Sequence, residues 1–322
     1  MDLSIIIVTF NSERFIRPCF DSLSRRINGL TYEIIAVDNC SSDGTCNLLK
    51  REYPQVRLIE NSTNVGFAGA NNQAAAVANG SYLFLLNADT ELLDDGIAAA
   101  LQYAREKRVA LLGPRTIGLA GTLLQTWDRH NSLRHYLGTI LAGALFLKRF
   151  RKSEAEPSGP DRPIPVAFLV GSAMLIDRQA YKRFGLFDER FFFTGEERDL
   201  CMRYTNAGLN LAYFPGWSIL HHVGSGDNRS CFHFINWIKS SRLLARKHGG
   251  LAGGALMYGA MHLYTLTYWL AVLFKSRTVP GDVARKRWAS DCGRIFLWSI
   301  GLLSEESVLA AGRHAMQLGK IK

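Results

Sequence analysis

Residues 1–90 repeat one pattern, in which a short apolar run ends in polar residues and is followed by a segment with helical spacing. The apolar runs are Leu3–Thr9, Tyr32–Asp38, Val56–Glu60 and Tyr82–Leu86. Runs of this length that are rich in β-branched and apolar residues are typical of strands buried on both faces of a parallel sheet. Strands that alternate with helices at this spacing predict a βα-repeat and therefore an α/β fold.

Beyond residue 90 the pattern is less regular. It predicts a helix at 94–107 and a strand at 166–177 that Gly171 and Ser172 interrupt. A glycine inside a strand often marks a bulge or the close approach of a ligand. The intervening residues 114–165 show no clear period, and their last part, rich in proline, serine and charge, predicts a surface loop that is either a lid over a cleft or an insertion.

Polar side chains gather where the predicted strands end. In open α/β sheets, ligands bind beyond the carboxyl ends of the strands, so these side chains predict a ligand site there. The chain has no GxGxxG and no GxxxxGK[ST] motif, which argues against a dinucleotide-binding dehydrogenase and a P-loop NTPase. The polar residues at the strand ends are Thr9, Asn11, Asp38, Asn39, Asp43 and Asp89.

Asp89 is the candidate for binding a divalent cation at this edge. One carboxylate binds Mg²⁺ or Mn²⁺ weakly, because these ions require several oxygen ligands supplied jointly by protein and phosphate groups. A second protein ligand is therefore needed, and His221, at the end of a later strand, becomes a candidate in that context. The alternative is that Asp89 caps a helix, a position that aspartate favours.

A cluster of carboxylates follows the run Phe191-Phe192-Phe193, which we interpret as an apolar strand that forms one wall of a cleft. If Glu196 and Glu197 open a helix, they lie at its positive dipole end, where a carboxylate is held ready to accept a proton. The alternative is an ordinary acidic first turn of a helix.

The net charge of +10 is confined to the C-terminal part of the chain. Residues 229–322 contain 14 Lys/Arg and 4 Asp/Glu, and residues 1–228 contain equal numbers of each sign. An anionic partner is therefore expected at the C-terminal region, either an acidic membrane surface or nucleic acid. The six cysteines show no CxxC spacing, which indicates a reduced, cytosolic chain. Residues 1–10 lack the features of a signal sequence and are read as the first strand.

Residues 251–274 contain no charged side chain apart from His262. Three alternatives fit: a helix lying in the membrane interface with Tyr264, Tyr268 and Trp269 at headgroup depth, a membrane span, or a buried soluble helix. A second apolar stretch follows Arg285–Arg287 in the same basic-then-apolar order, which favours membrane attachment over nucleic acid.

Eight segments of the sequence form an ordered set of motifs. They are residues 5–11, 37–45, 64–72, 86–90, 171–174, 187–192, 196–201 and 221–222. On these segments the chain resembles the family 2 glycosyltransferases of the GT-A fold, in particular the bacterial rhamnosyltransferase-like branch that builds cell-surface polysaccharides. The resemblance implies a Rossmann-like, mostly parallel sheet flanked by helices over residues 1–228, followed by a helical, basic, membrane-associating region at 229–322.

The resemblance also implies an activity and a set of site residues. The activity is inverting transfer from a nucleotide-sugar, dTDP-rhamnose-like or UDP-linked, to a hydroxyl of a polyprenyl-diphosphate-linked or polysaccharide acceptor, with Mg²⁺ or Mn²⁺, at the cytoplasmic face of the plasma membrane and without nucleic acid. The implied roles are Glu197 and Glu196 for catalysis; Thr9, Asn11, Asp38, Asn39, Gly66, Asn72, Asn87 and Asp89 for the donor; Gly171, Ser172, Phe193 and Glu196 for the acceptor; and Asp89 and His221 for the metal.

Two positions depart from the family pattern. Asn87 stands where the metal motif usually begins with aspartate, and Glu197 stands where the base is usually aspartate. These departures leave a catalytically impaired scaffold as an alternative to an enzyme. A nucleotidyltransferase acting on sugar phosphates is a further alternative, although the residues after the first strand lack the glycine-rich basic loop expected of it.

Overall fold

A computed structural model of the chain describes residues 1–145, 160–222, 231–278 and 283–310. Of these, residues 1–131 and 160–222 form one compact unit, and the rest form a second. The predicted boundary between residues 228 and 229 lies outside the described residues, as does 154–159 of the predicted surface loop. The second unit also includes residues 132–145, which the prediction placed in the first domain.

The elements alternate over most of the first unit. The strands are β1 (Leu3–Thr9), β2 (Tyr32–Asp38), β3 (Arg57–Glu60), β4 (Tyr82–Asn87), β5 (Thr90–Leu92), β6 (Val109–Gly118), β7 (Trp127–Asp128), β8 (Ile164–Pro165), β9 (Phe168–Leu169), β10 (Ala173–Asp177) and β11 (Asn210–His221). The helices are α1 (Glu13–Arg26), α2 (Thr45–Glu52), α3 (Gly66–Val77), α4 (Ile97–Lys107), α5 (Leu133–Ala144), α6 (Arg178–Phe184), α7 (Glu196–Asn206), α8 (Cys231–Thr278) and α9 (Val283–Ser299); α5, α8 and α9 belong to the second unit.

The central sheet confirms the predicted α/β architecture. Its strand order is β3-β2-β1-β4-β10-β6-β11-β5, with β8 paired to β11. The four strands on the β3 side are parallel, as predicted, whereas β10 runs antiparallel to both of its neighbours. The parallel strands bring their carboxyl ends to one edge of the sheet, which is the edge where the polar residues gather.

Hydrophobic side chains cover both faces of this sheet. Successive residues of β1 point to opposite faces, so Ile5 and Ile7 pack with α1, α2 and α4, while Ile6 packs with α3, α6 and α7. All three isoleucines are fully buried. Burial on two faces explains why β1 is a continuous apolar run rather than an alternating one.

Strand β11, which ends at His221 as expected, has a register irregularity between Phe214 and Ser218. One predicted strand is corrected by the structure. The run Phe191–Phe193 is irregular backbone rather than a strand. It cannot continue as a strand into α7, because Thr194 and Gly195 both have positive φ angles, 65° and 88°.

The second unit is helical. Helix α8 is interrupted at Gly250, whose backbone is non-helical (φ 62°, ψ −157°), so two helical segments fold back on each other. Ile235, Met257, Met261 and Ile295 are fully buried in the core of this unit. Hydrogen bonds from α5 add to this core: the Tyr136 hydroxyl lies 2.7 Å from the Ser241 hydroxyl and accepts a bond of 3.1 Å from the Trp237 indole.

One side of the segment 251–274 remains exposed. Leu251, Leu256, Leu270 and Phe274 are 80%, 63%, 50% and 70% exposed, which agrees with an interfacial helix better than with a buried one. None of the helices in the described part of the chain is both long and apolar enough to cross a membrane.

The expected headgroup position of the aromatic residues is corrected. Tyr264 and Tyr268 pack inward against Phe234, and Trp269 packs against Phe296. These rings close the core between the helical segments, whereas the exposed side chains of the segment include Leu251, Leu256, Leu270, Phe274 and Tyr258. The side chains of Arg285–Arg287, on which the repeated basic-then-apolar order depends, lie outside the described part of the chain.

Candidate active site

The ends of β1 and β2 are tied together by side-chain hydrogen bonds. Thr9 and Asp38 are opposite each other in the parallel pair, and the Thr9 hydroxyl donates to Asp38 Oδ1 at 2.8 Å. The loop after β2 folds back on the same carboxylate, because the Ser41 backbone N–H donates to Asp38 Oδ2 at 2.8 Å. Asn11, with φ 50°, accepts from the Ser42 N–H at 2.8 Å. The four polar residues predicted at these two strand ends therefore begin a single connected surface.

Asn39 extends this connection to α3. Its side-chain amide donates to the Gly66 carbonyl at 3.0 Å, and its Oδ1 accepts from Asn61 Nδ2 and from the Val65 N–H. Asn39 is almost fully buried. The structure thus gives Asn39 the task of holding the start of α3 against the sheet.

Gly66 makes the closest contact between α3 and the loop before α7. It has φ 83°, and a Cβ built on it would lie 2.7 Å from the Phe192 carbonyl oxygen. The neighbouring Phe67 N–H donates to that same carbonyl at 3.0 Å. Only glycine satisfies both the backbone angle and the spacing.

Asn72 is placed differently from the expectation that it faces the donor. Its Nδ2 donates to the Phe187 carbonyl and to Glu189 Oε1, both at 2.9 Å, and its Oδ1 accepts from the Phe187 N–H. The amide group is engaged by the turn at 187–189. Asn72 therefore fixes the turn that precedes the carboxylate cluster.

The metal-motif strand and the carboxylate helix meet through the residues predicted for the acceptor. The Asn87 N–H donates to the Ser172 carbonyl at 2.9 Å. A Cβ built on Gly171, the residue before Ser172, would lie 3.6 Å from Glu197 Cβ. Asp89, two residues beyond Asn87, and Glu197 therefore belong to the same edge of the first unit.

Asp89 and His221 lie together, as required of the predicted cation ligands. Asp89 Oδ1 is 3.3 Å from His221 Nε2. Asp89 lies in the turn between β4 and β5, so the alternative that it caps a helix is wrong. The pairing follows from the fold, because β5 and β11 are antiparallel neighbours with His221 opposite Thr90.

A second histidine–carboxylate pair adjoins the first. His222 Nε2 is 2.7 Å from Glu91 Oε1, and the Phe15 ring packs 5.4 Å from the His222 ring. Sequence reasoning did not assign a role to Glu91 or to Phe15. No local pattern could have shown this pair, because it depends on the antiparallel pairing of β5 with β11, which are far apart in the sequence.

The residues at this edge fit a divalent cation only in combination with a ligand. Within the described ranges no three His, Cys, Asp or Glu side chains form a metal-binding group. Asp89 and His221 supply two ligands, and the buried Asn87 Oδ1 has no hydrogen-bond partner in the described structure. Mg²⁺ and Mn²⁺ are commonly held by one or two carboxylates together with substrate phosphates, so this donor set is suitable if a diphosphate completes it.

Glu196 and Glu197 open α7, as predicted, but their environments differ. Glu196 is only 5% exposed, and its Oε2 atom has no hydrogen-bond partner among the residues the structure describes. Burial, and next the charge of Glu197, raise the pKa of Glu196 well above its usual range. Glu197 is partly exposed, and its Oε2 accepts from the Gly195 N–H at 3.1 Å. Burial and the charge of Glu197 therefore favour the protonated form of Glu196, beside the more exposed side chain of Glu197.

Asp199, the third carboxylate of the cluster, is structural. It is fully buried and accepts from Arg203 Nε at 2.8 Å. Arg203 also donates to the carbonyl groups of Phe184 and Leu186. This buried ion pair anchors α7 to the preceding turn. Arginine suits this position because its forked guanidinium group can donate to the carboxylate and to two carbonyl groups at once.

Arg198 is a residue of this helix to which the sequence assigned no role. Its guanidinium group lies 4.0 Å from the centre of the Phe168 ring and donates to Asn131 Oδ1 at 2.9 Å. It thereby links α7 to the segment after β7. The link is long-range in sequence, so no local pattern could have shown it.

Phe193 and Thr194 complete the loop in front of α7. Phe193 is half-buried, and the buried Thr194 hydroxyl has no hydrogen-bond partner within the described structure. Thr194 also adopts a left-handed backbone, which is costly for a β-branched residue. Unsatisfied polar atoms on Asn87, Thr194 and Glu196 thus accumulate at one edge, which is typical of a site completed by a ligand.

The chain belongs to glycosyl transferase family 2. The profile of the family described as "Glycosyl transferase family 2" matches residues 4–185, more than half of the chain. The chain is a glycosyltransferase with the GT-A fold.

Two rhamnosyltransferases and a solved glycosyltransferase structure are among the proteins to which the chain is similar. The chain is 28% identical, over 77% of its length and 85% of the relative's, to the N-acetylglucosaminyl-diphospho-decaprenol L-rhamnosyltransferase of Mycobacterium tuberculosis. It is 29% identical, over 76% of its length and 92% of the relative's, to the rhamnosyltransferase WbbL of Escherichia coli. Among solved structures, S. aureus TarS 1-349 in complex with UDP-GlcNAc superposes with a TM-score of 0.53, 14% identity and coverage of 98% of this chain and 88% of that one.

Proposed function

We propose that this chain transfers a sugar, with inversion, from a nucleotide-sugar to a hydroxyl of a lipid-linked or polysaccharide acceptor, using Glu197 as the general base. The observation that carries the proposal is the buried Glu196, whose Oε2 atom has no hydrogen-bond partner among the described residues, beside the more exposed Glu197. Both lie at the sheet edge that also contains the Asp89–His221 pair.

The proton chemistry follows from the difference between the two glutamates. A neutral Glu196 leaves the negative charge of the pair on Glu197, which takes the proton of the acceptor hydroxyl as that oxygen attacks the anomeric carbon. The Gly195 N–H orients the Glu197 carboxylate through Oε2, which leaves Oε1 for the acceptor. An inverting transfer needs no covalent intermediate, so one base is sufficient.

Asp89 and His221 are the residues that would hold Mg²⁺ or Mn²⁺, with Asn87 close by. When bound, the cation supplies positive charge against the diphosphate that leaves. Thr9, Asn11, Asp38 and Asn39 form the floor next to it and are proposed to bind the nucleoside. Gly171, Ser172 and Phe193 lie on the Glu197 side and are proposed to contact the acceptor.

The donor and the acceptor are proposed from the relatives. The similarity to two rhamnosyltransferases favours dTDP-rhamnose over UDP-sugars as the donor. The name of the mycobacterial relative specifies a diphospho-decaprenol acceptor, and a polyprenyl-diphosphate-linked saccharide is the corresponding acceptor here. An acceptor of this kind is presented at a membrane surface.

We also propose that the second unit attaches the chain to the cytoplasmic face of the membrane without crossing it. The exposed side chains Leu251, Leu256, Leu270 and Phe274 lie on one helical segment, and the exposed Arg246 and the partly exposed Lys247 precede them. Aliphatic side chains beside basic ones are typical of a helix that lies in the headgroup region of an anionic bilayer.

Nucleotide release by the purified full-length chain tests the transfer. dTDP-rhamnose, UDP-GlcNAc and a GDP-sugar are each supplied with a polyprenyl-diphosphate-linked saccharide, with Mn²⁺ or with EDTA. We expect release of dTDP that requires both the acceptor and the cation, and a product of inverted anomeric configuration. Release that is independent of the acceptor, or a product of retained configuration, would contradict the proposal.

A further inference from the structure

The second unit contains a half-buried arginine that is surrounded by aromatic rings. The Arg242 guanidinium carbon lies 4.3 Å from the centre of the Tyr258 ring and 5.9 Å from the centre of the Trp298 ring. Cation–π contacts of this kind recover part of the hydration that the guanidinium loses. They leave its N–H donors to be satisfied by other groups.

The hydrogen bonds of Arg242 are incomplete. Its Nη2 donates to the Ser299 carbonyl at 3.3 Å, and its buried Nε–H has no partner in the described structure. No ion pair joins Arg242 to a described carboxylate; Glu305, the acidic residue on this unit that pairs with α8, is bound to Lys239 instead. Burial lowers the pKa of Arg242, yet a guanidinium does not give up its proton in a protein. The charge therefore persists without an anion among the residues that the structure describes.

His262 contacts Ser299 and Tyr258, as Arg242 does, and has an unsatisfied polar atom of its own. Its Nδ1 is 3.1 Å from the Ser299 hydroxyl, and its ring packs perpendicular to the Tyr258 ring with the centres 4.0 Å apart. Its Nε2 is buried without a partner in the described residues. Burial and the nearby charge of Arg242 lower the pKa of His262, which keeps the imidazole neutral near pH 7.

A phosphoryl group has the hydrogen-bonding groups that Arg242 Nε and His262 Nε2 both lack in the described structure. Its oxygens accept from the Arg242 fork, and a phosphate monoester or terminal diphosphate still carries a proton part of the time near pH 7, because its second pKa is about 6. That P–O–H group can donate to a neutral His262 Nε2. A sulfate lacks this proton and satisfies only the arginine.

The residues next to this cluster are apolar and exposed. Tyr258, which covers the guanidinium, is 46% exposed; Leu263 follows His262, and Ile300 and Leu302 follow Ser299, and all three are exposed. A ligand that enters by displacing the Tyr258 ring therefore meets a cation beneath an apolar rim. This combination matches a phosphate that is attached to a hydrocarbon chain.

We propose that Arg242, His262 and Ser299 form a binding site for a lipid-borne phosphate monoester or diphosphate group. The site deepens the proposed membrane attachment and is separate from the sugar-transfer residues of the first unit. It predicts that attachment is selective for the headgroup rather than dependent on surface charge alone.

The test compares two cations of one helix. Arg242→Gln removes the half-buried cation, and Lys239→Gln removes an exposed cation that pairs with Glu305 about one turn earlier. The full-length proteins are mixed with vesicles of phosphatidylcholine containing phosphatidic acid, and separately with inorganic phosphate or sulfate at matched ionic strength. Vesicle binding is measured by co-sedimentation and small-anion binding by the shift in Tm.

We expect R242Q to bind phosphatidic acid vesicles about tenfold more weakly than the wild type, and K239Q to remain within about twofold. Stabilisation by inorganic phosphate that is lost in R242Q, with no vesicle effect, assigns the site to a free anion and overturns the lipid source. Equal losses in both variants, or no response of the wild type to either ligand, overturns the site.

Two further variants keep the test decisive. If R242Q does not give a wild-type circular dichroism spectrum, Arg242→Lys retains the charge without the fork and is expected to weaken the binding of both anions. His262→Asn removes the imidazole and is expected to reduce the preference for phosphate over sulfate. Leu256→Glu is expected to weaken vesicle binding while leaving the response to inorganic phosphate unchanged. A loss in L256E alone identifies attachment without the phosphate site.

Discussion

The two units bury opposite kinds of polar group. At the sheet edge of the first unit, Glu196 is a buried acid with no cation paired to it among the described residues, and in the second unit Arg242 is a half-buried cation with no described carboxylate as its partner. A carboxyl group can avoid the cost of a buried charge by taking up a proton, whereas a guanidinium cannot lose one. We therefore propose that the first arrangement holds a proton beside the catalytic base and that the second binds an anion.

The largest expected effect separates the two glutamates. Glu197→Gln removes the carboxylate that accepts the acceptor proton, so turnover should fall by about 10²–10⁴-fold, while the affinity for the nucleotide-sugar remains near that of the wild type. Glu196→Gln is the matched control, because glutamine resembles the protonated acid, and its turnover should remain within about fivefold. Steady-state kinetics and donor titration measure both. Equal losses in the two variants would remove the distinction on which the comparison depends.

The next effect concerns the cation site. Asp89→Asn should weaken nucleotide-sugar binding in Mn²⁺ by about tenfold or more, because one of the two protein ligands loses its charge. Asp95→Asn, at an exposed aspartate that pairs with Arg26, is the control for loss of charge. Isothermal titration with Mn²⁺ and with EDTA measures the difference. If D89N weakens binding by the same factor in EDTA, Asp89 acts on the donor directly and not through a metal.

The contact that positions the loop before α7 can be tested with two glycines. Gly66→Ala places a methyl group against the Phe192 carbonyl at a positive φ angle and should cost about 2–3 kcal/mol of unfolding free energy. Gly29→Ala has a similar φ angle but open space, and should cost about 1 kcal/mol. Denaturant unfolding measures both. Equal costs would show that the Phe192 contact does not constrain α3.

The smallest expected effect is a pH dependence of stability. The pKa of Glu196 is raised in the folded state above the ordinary value of 4.5, so its contribution to stability is complete below that pH and is lost as the pH rises through the folded pKa. Glu196→Gln removes this loss. The wild type should therefore lose stability relative to E196Q as the pH rises above 4.5, and Glu106→Gln, at an exposed position, should leave the profile unchanged. A constant difference would indicate that Glu196 is not protonated on folding.

The sequence predicted the parts of the fold that depend on local pattern. β1, β2 and β4 are mostly apolar, because both faces of the central strands are covered, and this pattern differs from the period of an amphipathic helix. The antiparallel direction of β10 could not be predicted, since strand direction depends on pairing with β4 and β6 rather than on composition. The helix at 133–144 was missed, because its packing partners are in α8, far along the chain.

The site was predictable to the level of residue types and not to the level of environment. The Asp89–His221 pair came from strand ends and from the family resemblance, and the structure brings them within 3.3 Å. The burial of Glu196 was not predictable, because adjacent residues of a first helical turn differ in exposure only once Gly171 and the loop at 191–195 are in place. Asn72 has the expected chemistry but is used to hold the turn at 187–189.

The proposed difference between the two glutamates depends on Glu196 being protonated at neutral pH, and this state can be measured. Infrared difference spectroscopy of the wild type against E196Q at neutral pH reports the carbonyl stretch of a protonated carboxyl group. The account predicts that this band is present in the wild type, absent in E196Q and retained in E197Q, because burial is the larger cause of the raised pKa of Glu196. A wild type without the band, or a band that is lost in E197Q instead of E196Q, would contradict it.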